Sequence, residues 1–103
     1  MVNVAIIGCG LIGQKRARSL AGARLITCCD TILGKSQALA APYGALALTD
    51  WREVVRLPHV DAVLIATTHD WLAPIAAAAV AEGKHVLVEK PGARRCGVRK
   101  WMG

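Results

Sequence analysis

The chain contains no Phe, and its aromatic residues are three Trp and one Tyr, 4% of 103 residues. With 54% apolar residues, the core must be built from Ala, Val, Ile and Leu, the usual filling of a sheet covered by helices on both faces. Long apolar runs are missing too. The longest, Leu72 to Ala81 and Val60 to Ala66, fall far short of the roughly 20 residues that cross a membrane. No basic segment precedes an apolar stretch at the start, where Met1 leads almost directly into Val2-Asn3-Val4-Ala5-Ile6-Ile7. A cytoplasmic protein without a membrane partner is expected.

No C-x-x-C pair exists among Cys9, Cys28, Cys29 and Cys96, and two of the four are adjacent. Disulfides and metal are disfavoured, and buried reduced thiols serving as small hydrophobes are expected. Acids are absent from the last eleven residues, which hold Arg94, Arg95, Arg99 and Lys100. That tail supplies four of the six net positive charges, so residues 1–92 are nearly balanced. A basic tail can hold polyanions without sequence preference, but solvated charge explains it more simply, and nucleic acid is not the favoured partner.

The length makes one domain, in which folding buries about 65% of the chain's surface. Along it, strand and helix patterns alternate. Val2 to Ile7 reads as a buried first strand, Leu11 to Ala21 as a helix stopped by Gly22, and Arg24 to Cys29 as a second strand ending at Asp30. Leu33 to Ala41 is an Ala-rich helix broken by Pro42 and Gly44, and Ala45 to Leu48 a brief third strand. Thr49 or Asp50 then caps a short helix to about Arg56, with Glu53 placed for a capping box. Ala62 to Ala66 is a fourth strand. A helix with Pro74 in its first turn runs to about Glu82, Gly83 ends it, and His85 to Val88 is a fifth strand. Such alternation implies right-handed β-α-β units, hence an α/β, doubly wound parallel sheet of Rossmann type with about five strands.

Gly8-Cys9-Gly10-Leu11-Ile12-Gly13 matches G-x-G-x-x-G between a strand and a helix, the context that gives the string meaning. Gly8 would permit the tight turn, Gly10 a close backbone approach to pyrophosphate, and Gly13 close helix–strand packing. Amides at the helix start, including those of Leu11 and Ile12, would face the anion. Asp30, 22 residues past Gly8, stands where this fold places an acid for the adenosine ribose; capping the next helix is its blander role, and the two can coexist. A carboxylate repels a 2′-phosphate, and Thr31 and Ile32 bring no cation beside it. NAD is therefore favoured over NADP.

The strand ends carry the informative residues: Gly8 and Gly10, then Asp30, then Thr67-Thr68-His69-Asp70, then Glu89-Lys90-Pro91. Here the chain resembles the Gfo/Idh/MocA (glucose-fructose oxidoreductase, inositol dehydrogenase) family. The resemblance rests on Val4 to Gly13, Val60 to Thr67 and Glu82-Gly83-Lys84-His85-Val86-Leu87-Val88-Glu89-Lys90-Pro91. It implies NAD(P)-dependent hydride transfer on a sugar, cyclitol or related polyol. By that resemblance Lys90 is the catalytic candidate, a cation able to stabilise developing alkoxide charge, with Glu89 and Pro91 shaping the cofactor pocket. Departures accompany it. Thr67 is kept, but Thr68 and His69 replace a Pro and an Asn, and Leu72 stands where a His is usual. His69 lines the cofactor site or is an ordinary loop histidine. Trp71 reads as packing, and His59 and His85 as structural.

Family members continue into an α+β substrate domain. Here a dinucleotide-binding domain over 1–92 precedes a basic, irregular tail over 93–103, and a truncated chain without a substrate domain is expected. That makes it incomplete as a catalyst alone; a non-enzymatic dinucleotide-binding module is the alternative. A missing sixth strand would leave an open sheet edge, so a homo-oligomer or partner chain is expected.

Overall fold

The computed structural model describes residues 2–18, 20, 22–67, 69–88 and 101–102. Strand β1 spans Val2–Ile7, β2 Ala23–Cys29, β3 Leu46–Leu48, β4 Ala62–Ile65 and β5 His85–Val88. These five are mutually parallel, and the sheet order is β3-β2-β1-β4-β5. Between them run helices α1 (Leu11–Ala17), α2 (Leu33–Ala40), α3 (Trp51–Arg56) and α4 (His69–Ala81). The chain winds outward from β1 to β3, then crosses back to β4. The sheet's switch point thus lies between β1 and β4, where ligands of open α/β sheets bind.

Strand periodicity sorts the core into two layers. Val4 and Ile6 face one side with Ala17 of α1 and Leu39 and Ala40 of α2. Ala5 and Ile7 face the other with Val54 and Val55 of α3 and Ile75 and Ala79 of α4. Each large side chain so buried contributes about 1.5–3 kcal/mol, and the expected core of small aliphatics needs no aromatic. An irregularity between Val4 and Ala5 leaves Ile26 of β2 without a register partner. That extra residue resets the alternation and directs Cys28 into the first layer and Cys29 into the second.

Several boundaries differ from the sequence expectation. Helix α1 stops at Ala17 rather than Ala21, because the chain turns through Gly22 (φ 75°) to enter β2; Leu20 still packs against the first layer. A 3₁₀ turn, Ala41–Tyr43, follows α2 and carries Pro42. Pro74 does not sit in a first turn. Helix α4 begins at His69, so Pro74 is interior and cannot donate to the carbonyl one turn before it. The tail expected to be irregular contributes strand β6, Trp101–Met102, antiparallel to β5 and paired with Leu87 and Val86. The edge of β5 expected to be open is therefore covered at those two residues, since antiparallel pairing meets the backbone groups that an edge leaves free. At the other end of α4 the expected stop holds: Gly83 adopts φ 79°, with its N–H on Val80 and that of Lys84 on Ala79, a Schellman ending.

The amino edge of the sheet is tied by its own polar groups. Asn3 donates its backbone N–H to Asp61 Oδ2 at 2.9 Å and its amide to the His59 carbonyl at 3.0 Å. The Asp61 carbonyl accepts from His85 N–H, and buried Lys84 donates its ammonium to the Leu57 carbonyl. His59 and His85 contribute to these bonds through their backbone atoms, and their side chains are exposed. Among the described residues no helix is long and apolar enough to cross a membrane.

Candidate functional site

At the carboxyl edge, β1 runs into the glycine turn. Gly8 has φ 102°, a conformation that a side chain strongly disfavours, and a Cβ there would lie 2.6 Å from the Ala66 carbonyl oxygen. Gly13 is as constrained, since its Cβ would run into the Gly8 carbonyl and lie 3.3 Å from Ile6 Cγ2. Gly10 differs from both. A Cβ on it would meet nothing within 4 Å, so its backbone borders open space. Two glycines let the turn fold tightly, and the third leaves its outer face bare. Helix α1 opens at Leu11 with Gly10 as N-cap, no side-chain cap and no acid in its first turn. The first amides of a helix lack intrahelical acceptors, and Leu11, Ile12 and Gly13 provide them here.

Asp30 lies beside this turn at the end of β2. Its Oδ2 accepts the Cys9 N–H at 2.9 Å, and its Oδ1 accepts the Ile32 N–H at 2.9 Å. Its own N–H bonds the Leu48 carbonyl. The carboxylate therefore joins the loops after β1 and β2, and the residue's own N–H ties them to the end of β3. The capping-type role is present as an Asx turn onto Ile32, and a carboxylate with about four lone-pair sites retains acceptor capacity for a further donor.

A cleft of about 530 Å³ opens over these groups, lined by Gly8, Gly10, Asp30 and Thr67. Beyond the turn it is walled by Thr49, Asp50, Trp51 and Arg52 after β3, by Thr31 and Lys35 after β2, and by Trp71 and Ile75 of α4. Sequence reasoning omitted these residues as site residues. The loop after β3 obeys the same edge rule as its neighbours, but its residues also satisfy a helix-capping pattern, which accounts for them without a ligand. That cap is real: Asp50 Oδ1 accepts the Arg52 N–H at 3.0 Å. Trp71, read as packing, is 50% exposed and faces the cleft. Lys35, too distant in sequence to count as a neighbour of Asp30, is returned to the cleft by the first turn of α2. His69 opens α4, whereas Thr68, Glu89, Lys90 and Pro91 lie outside the described residues.

The thiols behind the turn sit in the core, and the hydrogen bond with Cys9 holds the Cys28 thiol below its ordinary range. Cys9, Cys28 and Cys29 are buried and unpaired by disulfides, and Cys9 Sγ donates to the Cys29 carbonyl at 3.3 Å. The hydrogen bond with Cys28, followed by burial, holds the Cys9 thiol well above its ordinary range. Burial, followed by the charges of Asp30, Asp50 and Glu53, pushes Cys29 up to about 12. No cluster suited to a metal ion occurs among the described residues.

Sheet order, switch point, glycine turn and edge acid together define a dinucleotide-binding Rossmann domain. The glycines fit that ligand on steric grounds: the turn is packed from behind and open only where a diphosphate would approach. The model of the Gfo/Idh/MocA oxidoreductase family, NAD-binding Rossmann fold, matches residues 2–97, and the chain belongs to that family. It is 36% identical over 95 residues to an inositol 2-dehydrogenase of Saccharopolyspora erythraea, covering 87% of this chain and 28% of that protein. Among solved structures, GenD2 from gentamicin A biosynthesis in complex with NAD superimposes with TM-score 0.80 at 33% identity, covering 87% of this chain and 27% of that one. Biliverdin reductase from Synechocystis sp. PCC 6803, in complex with biliverdin and NADP+, superimposes with TM-score 0.78 at 33% identity, covering 89% and 30%. The chain spans under a third of the length of the curated relatives it matches.

Proposed function

We propose that the chain is the cofactor-holding part of an oxidoreductase that transfers hydride between a nicotinamide dinucleotide and a sugar, cyclitol or related polyol. The observation that carries this reading is the glycine turn, whose packed back and bare front leave only backbone to meet a diphosphate. When bound, the dinucleotide supplies the hydride donor or acceptor; the chain's residues bind and orient it. Amides from Gly10 to Gly13 take the diphosphate, and the spare lone pairs of Asp30 take the ribose hydroxyls. NAD is preferred to NADP because the same carboxylate repels a 2′-phosphate. Lys35 in the cleft tempers that preference without abolishing it. Thr67, Thr68 and His69 border the nicotinamide side, Glu89 and Pro91 shape it, and Lys90 hydrogen-bonds the reacting oxygen.

Hydride transfer also requires a substrate held in a near-attack arrangement, and the cleft's described walls offer few groups for a polyol. Binding without robust turnover is expected from these 103 residues alone. Titration of the purified chain with NADH, followed by fluorescence, tests the first half of the reading; no change in emission at saturating ligand would overturn it. Polyol oxidation followed by NADH absorbance tests the second half, and robust turnover would refute the claim of an incomplete catalyst.

A further inference from the structure

The cofactor reading leaves unexplained why an arginine and a tryptophan are held together at the β3 end of the cleft. Arg52 Cζ lies 5.0 Å from the centroid of the Trp51 ring, and its Nη1 lies 3.7 Å from Asp50 Oδ1. Asp50 in turn accepts the backbone N–H of Arg52, so the side chain is held from its root and from its tip. Both Trp51 and Arg52 line the cleft, and the arginine side chain remains 63% exposed. A surface ion pair of this kind adds little stability. A guanidinium resting on an indole, however, keeps its outer face available for another flat ring.

The order of the strands supplies the occupant. The carboxyl ends of β1 and β3 lie two strand spacings apart, about 10 Å, with β2 and Asp30 between them. Diphosphate amides, a hydroxyl acceptor and a cationic platform thus follow one another along the edge. A nucleotide presents the same sequence as phosphate, ribose and base. We infer that Arg52, seated on Trp51, stacks on the adenine of the dinucleotide and is the base-contacting residue of this cleft. The inference rests on the cofactor reading and assigns its adenine end to the loop after β3. Thr31, which directly follows Asp30, offers no flat or cationic group for this task.

The experiment compares three probes on the unaltered chain and on Arg52→Ala and Arg52→Lys: NADH, ADP-ribose and reduced nicotinamide mononucleotide, which has no adenine. Arg52→Ala is expected to weaken NADH and ADP-ribose by the same factor, about fivefold, and to leave the mononucleotide unchanged. Arg52→Lys keeps the charge but not the plane, and should recover little of the loss. Equal affinity of ADP-ribose for the unaltered and Ala chains would overturn the inference while the cofactor reading stands. So would an equal loss for the mononucleotide. If Arg52→Lys restores binding, or NADPH suffers far more than NADH, Arg52 acts as a phosphate-directed charge and the stacking role fails. Failure of NADH to bind the unaltered chain overturns both readings. The exposed side chain can be exchanged without loss of the helix cap, which uses the backbone N–H.

Discussion

The two edges of the sheet are built from similar residue types and end in opposite states. At the amino edge, Asn3, Asp61, Lys84 and the backbone of Leu57, His59 and His85 spend their hydrogen bonds on one another. At the carboxyl edge, Asp30 also holds backbone amides, but those bonds brace a cleft of about 530 Å³. A polar residue at a strand end is therefore no sign of a binding site in itself. The glycine turn makes the difference, because it removes side chains from the space in front of the helix start.

The comparison can be broken at either edge. Gly8→Ala should have the largest effect. Left-handed strain and the clash with the Ala66 carbonyl together cost about 3 kcal/mol, and NADH binding should be lost. Denaturant titration and NADH fluorescence read the two effects, and a variant as stable as the parent would contradict the described turn. Lys84→Met should cost about 2 kcal/mol by removing a charge-assisted hydrogen bond to the Leu57 carbonyl, which then keeps only the Val60 N–H, yet leave NADH affinity unaltered. A changed affinity would mean that the amino edge is not merely structural. Asp30→Ala should reverse that pattern. NADH affinity falls about tenfold as charge-assisted bonds disappear, and discrimination against NADPH narrows. Equal affinities before and after would remove Asp30 from the site.

A separate effect is on pH dependence. Cys29 has a thiol pushed up from 9.0 to about 12, so between those values the unfolded chain has released a proton that the folded chain retains. Stability from this group is complete below pH 9 and falls as pH rises toward 12. Chemical denaturation at pH 8 and pH 10.5 measures it. Cys29→Ala should shrink the difference between the two, with the raised Cys9 thiol keeping its own share, and an unchanged slope in that variant would assign the pH dependence to other groups.

Local chemistry made part of this legible without coordinates. Gly8 and Gly13 had to be glycine because one carries a left-handed turn and the other meets a carbonyl, and both demands show as a spaced motif. Gly83 similarly advertises the end of α4. Pro74 misled, since proline at a helix start is the cheaper arrangement and nothing local announced that α4 begins at His69. Trp101 and Met102 were unreadable as a strand, because their pairing partners, Leu87 and Val86, lie far away in sequence.

Residue order by itself determined the alternating elements, the all-aliphatic core and the turn that faces a diphosphate, because each depends on neighbours within a few positions. Only the tertiary structure decided that Lys35, Trp51, Arg52 and Trp71 share one cleft with Asp30, and that Cys28 and Cys29 enter opposite layers. Those outcomes follow from strand order and from one unpartnered residue in β2. Both arise when distant segments pack side by side, and neither leaves a local periodicity to read.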